Sequence, residues 1–132
     1  MNILVLGASS SIGKSITKSF ANKNKLFLLS TNIDKLNELK KELLSFGSQG
    51  VKLFEFDLGT PLNINEIIEE NIDMVINVAC SLSNLKDYNI EPDSHEYHTA
   101  VDLSNPLIIL QHLLEKKINR REKSRLYYIF VN

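Results

Sequence analysis

MNILVLGASSSIGKS, residues 1–15, packs a strand, a turn and a helix start into one short run. Ile3, Leu4, Val5 and Leu6 are consecutively apolar, the pattern of a strand buried on both faces in a parallel sheet. Gly7 interrupts the run, and Ala8, Ser9, Ser10 and Ser11 follow, all small and three of them able to hydrogen-bond. From Ile12 and Gly13 a helical spacing of Ile12, Ile16 and Phe20 begins. Such an order aims the unpaired N–H groups of the helix start, and its positive dipole end, at whatever lies over the turn. That geometry favours phosphate, so a nucleotide is the first expected ligand.

The same residues fit two motifs. Ala8-x-x-x-x-Gly13-Lys14-Ser15 fits a relaxed phosphate-loop pattern, with Ala8 where the strict pattern has glycine. In that reading, an NTPase or kinase, Lys14 binds phosphate, Ser15 supplies the magnesium hydroxyl and Asp57 is the acidic metal partner. The loop lacks internal glycines for wrapping a phosphate, which counts against it. Gly7-x-x-x-Ser11-x-Gly13 resembles the glycine motif of the short-chain dehydrogenase/reductase family, Gly-x-x-x-Gly-x-Gly, with Ser11 at its middle glycine. Ser11 must then take a backbone geometry that glycine adopts at little steric cost.

Outward from this stretch the pattern alternates strand and helix. A helix is predicted over residues 12–22, a short buried strand over 26–29, and a helix over 33–46 on Ile33, Leu36, Leu39, Leu43 and Phe46, with Gly47 as its stop. Residues 51–58 form a third strand closing on Asp57, and 63–70 a short acidic helix with Ile64, Ile67 and Ile68 inward. Residues 73–79 (DMVINVA) form a fourth strand, and 81–94, polar and containing Pro92, a surface loop. The long helical pattern over 95–118 is kinked or restarted at Pro106, and 125–131 (RLYYIFV) is a fifth strand. Alternation of this kind implies right-handed crossovers and an α/β fold: a Rossmann-like doubly wound parallel sheet of about five strands, order 3-2-1-4-5. The 132 residues read as one domain, without repeats, low-complexity tracts or a linker.

Composition narrows the function classes. A 43% hydrophobic and 23% charged chain buries a real core, and 15 basic against 16 acidic residues give a formal charge of −1, which points to neither nucleic acid nor a membrane surface. Cys80 is the only cysteine, so no internal disulfide or multi-cysteine metal site exists, and a reducing, cytoplasmic setting is expected. The apolar start is a strand and not a signal peptide, and no run approaches the ~18 apolar residues of a spanning helix. His95 and His98 flank Glu96 at a spacing open to a metal, but without further ligands they read as solvated, and no metal is expected. The basic cluster Lys116, Lys117, Arg120, Arg121, Lys123 and Arg125 complements a helix C-terminus.

In a doubly wound sheet ligands bind beyond the carboxyl ends of the strands. Residues 7–13, Ser30, Thr31, Asp57, Leu58 and 77–80 fall there. The resemblance to the short-chain dehydrogenase/reductase family extends through these ends. Asp57-Leu58 stands where the family has the aspartate that contacts adenine. Asn77-Val78-Ala79-Cys80 stands where the family carries Asn-Asn-Ala-Gly, which lines the cofactor, and Val101-Asp102-Leu103 resembles its Val-Asn-Leu. The resemblance covers essentially the whole chain. It implies that Gly7, Ser9, Ser10, Ser11, Ile12, Gly13, Thr31, Asp57, Leu58, Asn77, Val78 and Ala79 bind NAD or NADP. Asp102 replaces the asparagine that supports the family's active-site lysine. An acidic residue ending the second strand would favour NAD and a basic one NADP; Ser30 and Thr31 are neither.

The family's catalysis rests on Tyr-x-x-x-Lys, in which the lysine lowers the tyrosine pKa for proton transfer. Tyr88, Tyr97, Tyr127 and Tyr128 are followed four residues on by Pro92, Val101, Val131 and Asn132, so no such pair occurs. The family's catalytic serine follows the fifth strand, with which this sequence closes. The expectation is therefore the N-terminal, cofactor-binding part of a longer NAD(P)-dependent oxidoreductase acting on a small-molecule substrate, truncated after its fifth strand and itself inactive. The alternative is a non-catalytic NAD(P)-binding regulatory module. Leu107, Leu110, Leu114 and Ile118 form one helical stripe and Ile109 with Leu113 a neighbouring one, an arc wider than a single sheet contact covers. With the apolar edge strand over 126–131, this predicts a homo-oligomer.

Overall fold

The computed structural model describes residues 1–60, 64–79, 101, 104–119 and 125–131. Five parallel strands, β1 (Asn2–Leu6), β2 (Lys25–Ser30), β3 (Gly50–Glu55), β4 (Met74–Asn77) and β5 (Tyr127–Phe130), form one sheet in the order β3-β2-β1-β4-β5. This is the expected Rossmann-like α/β arrangement. Helices α1 (Ser11–Phe20), α2 (Ile33–Ser45), α3 (Asn65–Ile68) and α4 (Asn105–Asn119) stand between the strands in sequence.

The uninterrupted apolar runs of β1 and β2 divide residue by residue between two cores. Ile3, Val5, Leu26 and Leu28 point to one face, where Ala21, Leu36, Leu39 and Leu43 of the α1–α2 side cover them. Leu4, Leu6, Phe27 and Leu29 point to the other, against Ile64, Ile67, Ile109 and Leu113. Side chains alternate across a strand, so a strand buried on both sides must be apolar throughout. The register Leu4↔Phe27 and Leu4↔Val75 places β1 at the centre.

Strand ends fall where the ladder loses its partner. β3 stops at Glu55, paired with the last residue of β2, and after Phe56 N–H donates to Ser30 O (3.0 Å) the chain leaves the sheet. Asp57 and Leu58 therefore lie beyond the strand, where the alternation alone extends it to residue 58. α2 is capped at its start by Asn32, whose Oδ1 accepts the Lys35 N–H (3.1 Å). It ends as expected at Gly47, with Ser48 N–H donating to Leu43 O and Gly47 N–H to Leu44 O, a Schellman closure.

Pro106 is the second residue of the α-helical run α4, and Val101 and Ser104 before it are π-helical, so the helix changes its hydrogen-bonding pattern near the proline. One sequence expectation needs correction. Ile109 and Leu113 belong to the core beneath the sheet, at 0% and 1% exposure, and not to an open arc; Leu107, Leu114 and Ile118 of the adjoining stripe are 45%, 44% and 68% exposed. At the foot of α4 the buried Lys117 sits 3.7 Å from Asp73 Oδ1, while Asp73 Oδ2 accepts the Asn2 N–H (2.8 Å), tying helix to sheet. The 81–94 loop, Cys80, the His95–Glu96–His98 group, Asp102, Leu103 and the 120–123 part of the basic cluster lie outside the described residues.

Candidate functional site

β1 ends at Leu6 and α1 begins at Ser11, so four residues make the whole turn. Gly7 has φ +80°, and both its N–H and that of Ala8 donate to Leu29 O (2.9 and 3.1 Å), folding the turn over the end of β2. A Cβ on Gly7 would stand 2.7 Å from Ala79 N and 2.8 Å from Ala79 Cα. Positive φ and backbone contact each require glycine here. One on Gly13 would stand 2.6 Å from Gly7 O, so α1 can start this close to β1 only with glycine in its first turn. The motif's two glycines are thus packing devices that bring β1, α1 and the exit of β4 together.

Ser10 is the N-cap of α1: in extended backbone, its Oγ accepts the Gly13 N–H (3.0 Å). The N–H groups of Ser11 and Ile12 precede any intrahelical acceptor and crown the turn. Ser11 opens α1 in helical backbone with its side chain exposed, and among the described residues only Lys23 carries a positive φ without being glycine. The expectation that Ser11 must adopt a glycine geometry is therefore corrected: the position is helical, and serine fits without strain. Ile12 is half exposed beside it.

At the end of β2, Ser9 Oγ and Ser30 Oγ are 2.5 Å apart, and Ser30 Oγ accepts the Asn32 N–H (3.2 Å). Thr31 is exposed. No charged side chain occurs over residues 30–32, so this corner is neutral. Beyond β3, Asp57 Oδ1 accepts the Gly59 N–H (2.8 Å), and Asp57 O accepts from the Thr60 N–H and hydroxyl. Leu58 is buried in the core, so only its backbone can face outward; its carbonyl accepts the Asn105 side-chain amide, which also donates to Thr60 O (3.1 Å).

Asn77 ends β4 with its side chain 0% exposed. Its Oδ1 accepts the Ala79 N–H (3.1 Å) and its Nδ2 donates to the Tyr128 hydroxyl (3.1 Å). Val78 is buried on the α1–α2 face and Ala79 is half-buried against the other core. The carboxyl ends of β2, β1 and β4 thus bring the predicted groups to one side of the sheet. Sequence reasoning missed Asn105 and Tyr128; the Asn-Pro pair at a helix start was the only available signal for the first, and nothing marked the second among four tyrosines.

The phosphate-loop alternative gains no support. Lys14 and Ser15 lie inside α1, and a four-residue turn leaves no loop to wrap a phosphate. Among the described residues no cluster of three His, Cys, Asp or Glu side chains could hold a metal ion.

The family described as short chain dehydrogenase matches residues 1–126. The chain belongs to the short-chain dehydrogenase family. Solved structures agree on the fold. A 3-oxoacyl-[acyl-carrier protein] reductase from Brucella melitensis with bound NAD superposes with a TM-score of 0.79 at 17% identity, over 98% of this chain and 52% of that one. A metagenomic short-chain oxidoreductase in complex with NADP gives 0.74 at 19%, over 98% and 60%. A 7beta-hydroxysteroid dehydrogenase gives 0.79 at 22%, over 99% and 53%. This short-chain dehydrogenase chain therefore spans about half the length of the structures it resembles. No curated relative matches it.

Proposed function

We propose that residues 1–132 act as a single dinucleotide-binding domain, the N-terminal part of a longer NAD(P)-dependent short-chain dehydrogenase/reductase. The observation that carries this reading is the Gly7–Ala79 backbone contact beside a serine-capped helix start. Gly7 and Gly13 let α1 start directly against the end of β1, so that the Ser11 and Ile12 N–H groups supply donors for a pyrophosphate over the turn. Ser9 and Thr31 would border the adenosine ribose, and Asp57, one of whose carboxylate oxygens accepts the Gly59 N–H, would offer the other to the adenine amino group. Asn77 fixes the Ala79 backbone, and the buried Leu58 and Val78 act through their main chains. NAD or NADP, when bound, supplies hydride transfer.

The residues that would move protons in such a reaction, Tyr-x-x-x-Lys, do not occur in these 132 residues, so the chain alone is expected to show no turnover. The small-molecule substrate belongs to the rest of the protein in this reading. Titration with NADH and NADPH tests it: amides over residues 7–13 and Asp57 shift, and Gly7→Val abolishes the shifts. Magnesium-dependent ATP binding lost in Lys14→Ala would overturn it.

The exposed Leu107, Leu114 and Ile118 stripe on α4, with Tyr127, Ile129 and Phe130 of the edge strand β5, supports a homo-oligomer. A lone cysteine and a near-neutral charge support a cytoplasmic protein that binds no nucleic acid. Among the described residues no helix is long and apolar enough to cross a membrane.

A further inference from the structure

Asn77 is fully buried, and both ends of its amide are committed, one to Ala79 and one across the sheet to Tyr128 on the edge strand. Asparagine oxygen accepts and its NH2 only donates, so the two bonds fix one orientation of the amide. If the Tyr128 hydroxyl is removed, Nδ2 is orphaned in the interior, and the amide turns to find a partner at the expense of the Ala79 bond. Ala79 N and Cα lie against Gly7, close enough that a Cβ there would collide with them. The β4 exit therefore lies directly against the Gly7 turn on its β4 side. Tyr128 reaches this chain of contacts from β5, whose register sets Tyr128 against Val75 and leaves its ring half-buried on the α4 face.

From this we infer that Tyr128 is a positioning residue for the dinucleotide: through Asn77 it holds the Ala79 backbone, and thereby the floor of the crevice on the β4 side. The inference rests on the dinucleotide-binding reading above. A Rossmann sheet binds one mononucleotide over each half, so the effect is confined to ligands that cross from the β1–β3 side to β4. ADP, which needs only the first half, is spared.

The test is binding of NADH and of ADP to the 132-residue chain and its variants. Tyr128→Phe keeps the ring and is expected to weaken NADH about fivefold, the size of one neutral hydrogen bond, with ADP unchanged within about twofold. The pair Asn77→Leu with Tyr128→Phe removes donor and acceptor of the Asn77–Tyr128 bond together and leaves only the part-buried Ala79 N–H without its acceptor, so it is expected to fold even where the single variant does not. It is expected to weaken NADH by a similar factor and to shift the Ala79 amide of the free chain. Asn77→Ala with and without Tyr128→Phe is expected to be non-additive, because the hydroxyl acts through the amide. Wild-type affinity for NADH in the folded pair, equal weakening of NADH and ADP, or additive losses would each overturn the inference. Failure of the wild-type chain to bind either dinucleotide would instead overturn the reading on which it rests.

Discussion

The sheet has two unequal halves. β1 and β2 each have strands on both sides and helices on both faces, and the side chains from Leu26 to Ser30 are buried without exception. Among the described residues β5 has a partner on one side only, and Tyr127, Ile129 and Phe130 are exposed although the strand is just as apolar. Equal hydrophobicity therefore does not mean equal burial. What differs is the number of neighbours, and the difference says where this protein stores its stability and where it offers a surface.

The strongest way to break the comparison is to place a charge on each side of α4. Ile109→Glu or Leu113→Glu buries a carboxylate in the closed core and is expected to leave the chain unfolded by circular dichroism, since the cost rivals the ~5–15 kcal/mol stability of a whole domain. Leu114→Glu and Ile118→Glu should fold normally. If α4 mediates association, those two lower the apparent mass in light scattering over a dilution series; a monomer at high micromolar concentration, wild type and variants alike, would show that no copy covers the stripe.

Truncation to alanine compares the halves more finely. Leu28→Ala, in the closed half, is expected to cost about 2–5 kcal/mol in urea unfolding, and Ile129→Ala, on the edge strand, under about 1 kcal/mol. Similar losses at both positions would mean that the edge strand is covered. Cofactor choice sharpens the comparison at the neutral end of β2. Thr31→Asp is expected to shift the NADH-to-NADPH affinity ratio toward NADH and Thr31→Arg toward NADPH, each by about tenfold, the scale of one charge-assisted hydrogen bond.

The smallest effect is electrostatic. Lys18 bonds Glu42 at 2.7 Å between α1 and α2, and this hydrogen bond first, the lysine charge second, holds the Glu42 carboxyl below its ordinary range. A lowered folded-state pKa gives a contribution that is present above the ordinary carboxylate value and lost as pH falls through the lowered one. Glu42→Gln should therefore lower Tm slightly at pH 7, converge with wild type at strongly acidic pH, and lose its effect in high salt, because the pair is exposed. Lys52 behaves in the opposite sense. Its hydrogen bond to Glu70 raises its pKa, so its contribution is present at neutral pH and lost only in strong alkali.

Sequence periodicity alone determined the element order, the parallel sheet with β1 at its centre, and the turn after Gly7. These follow from short-range rules: an apolar run of strand length, small residues at a break, and a 3.6-residue spacing after it. It also located the strand ends at which a ligand would sit, because topology places them once the order is known. Tertiary structure decided which half of an apolar helix is core. Ile109 and Leu114 are equally apolar, and only the sheet's position separates them. It likewise decided that Ser11 is a helical residue free of strain, that Ser30 pairs with Ser9, and that Tyr128 reaches Asn77. Each of these joins residues distant in sequence or depends on a backbone angle set by packing, and no local pattern encodes either.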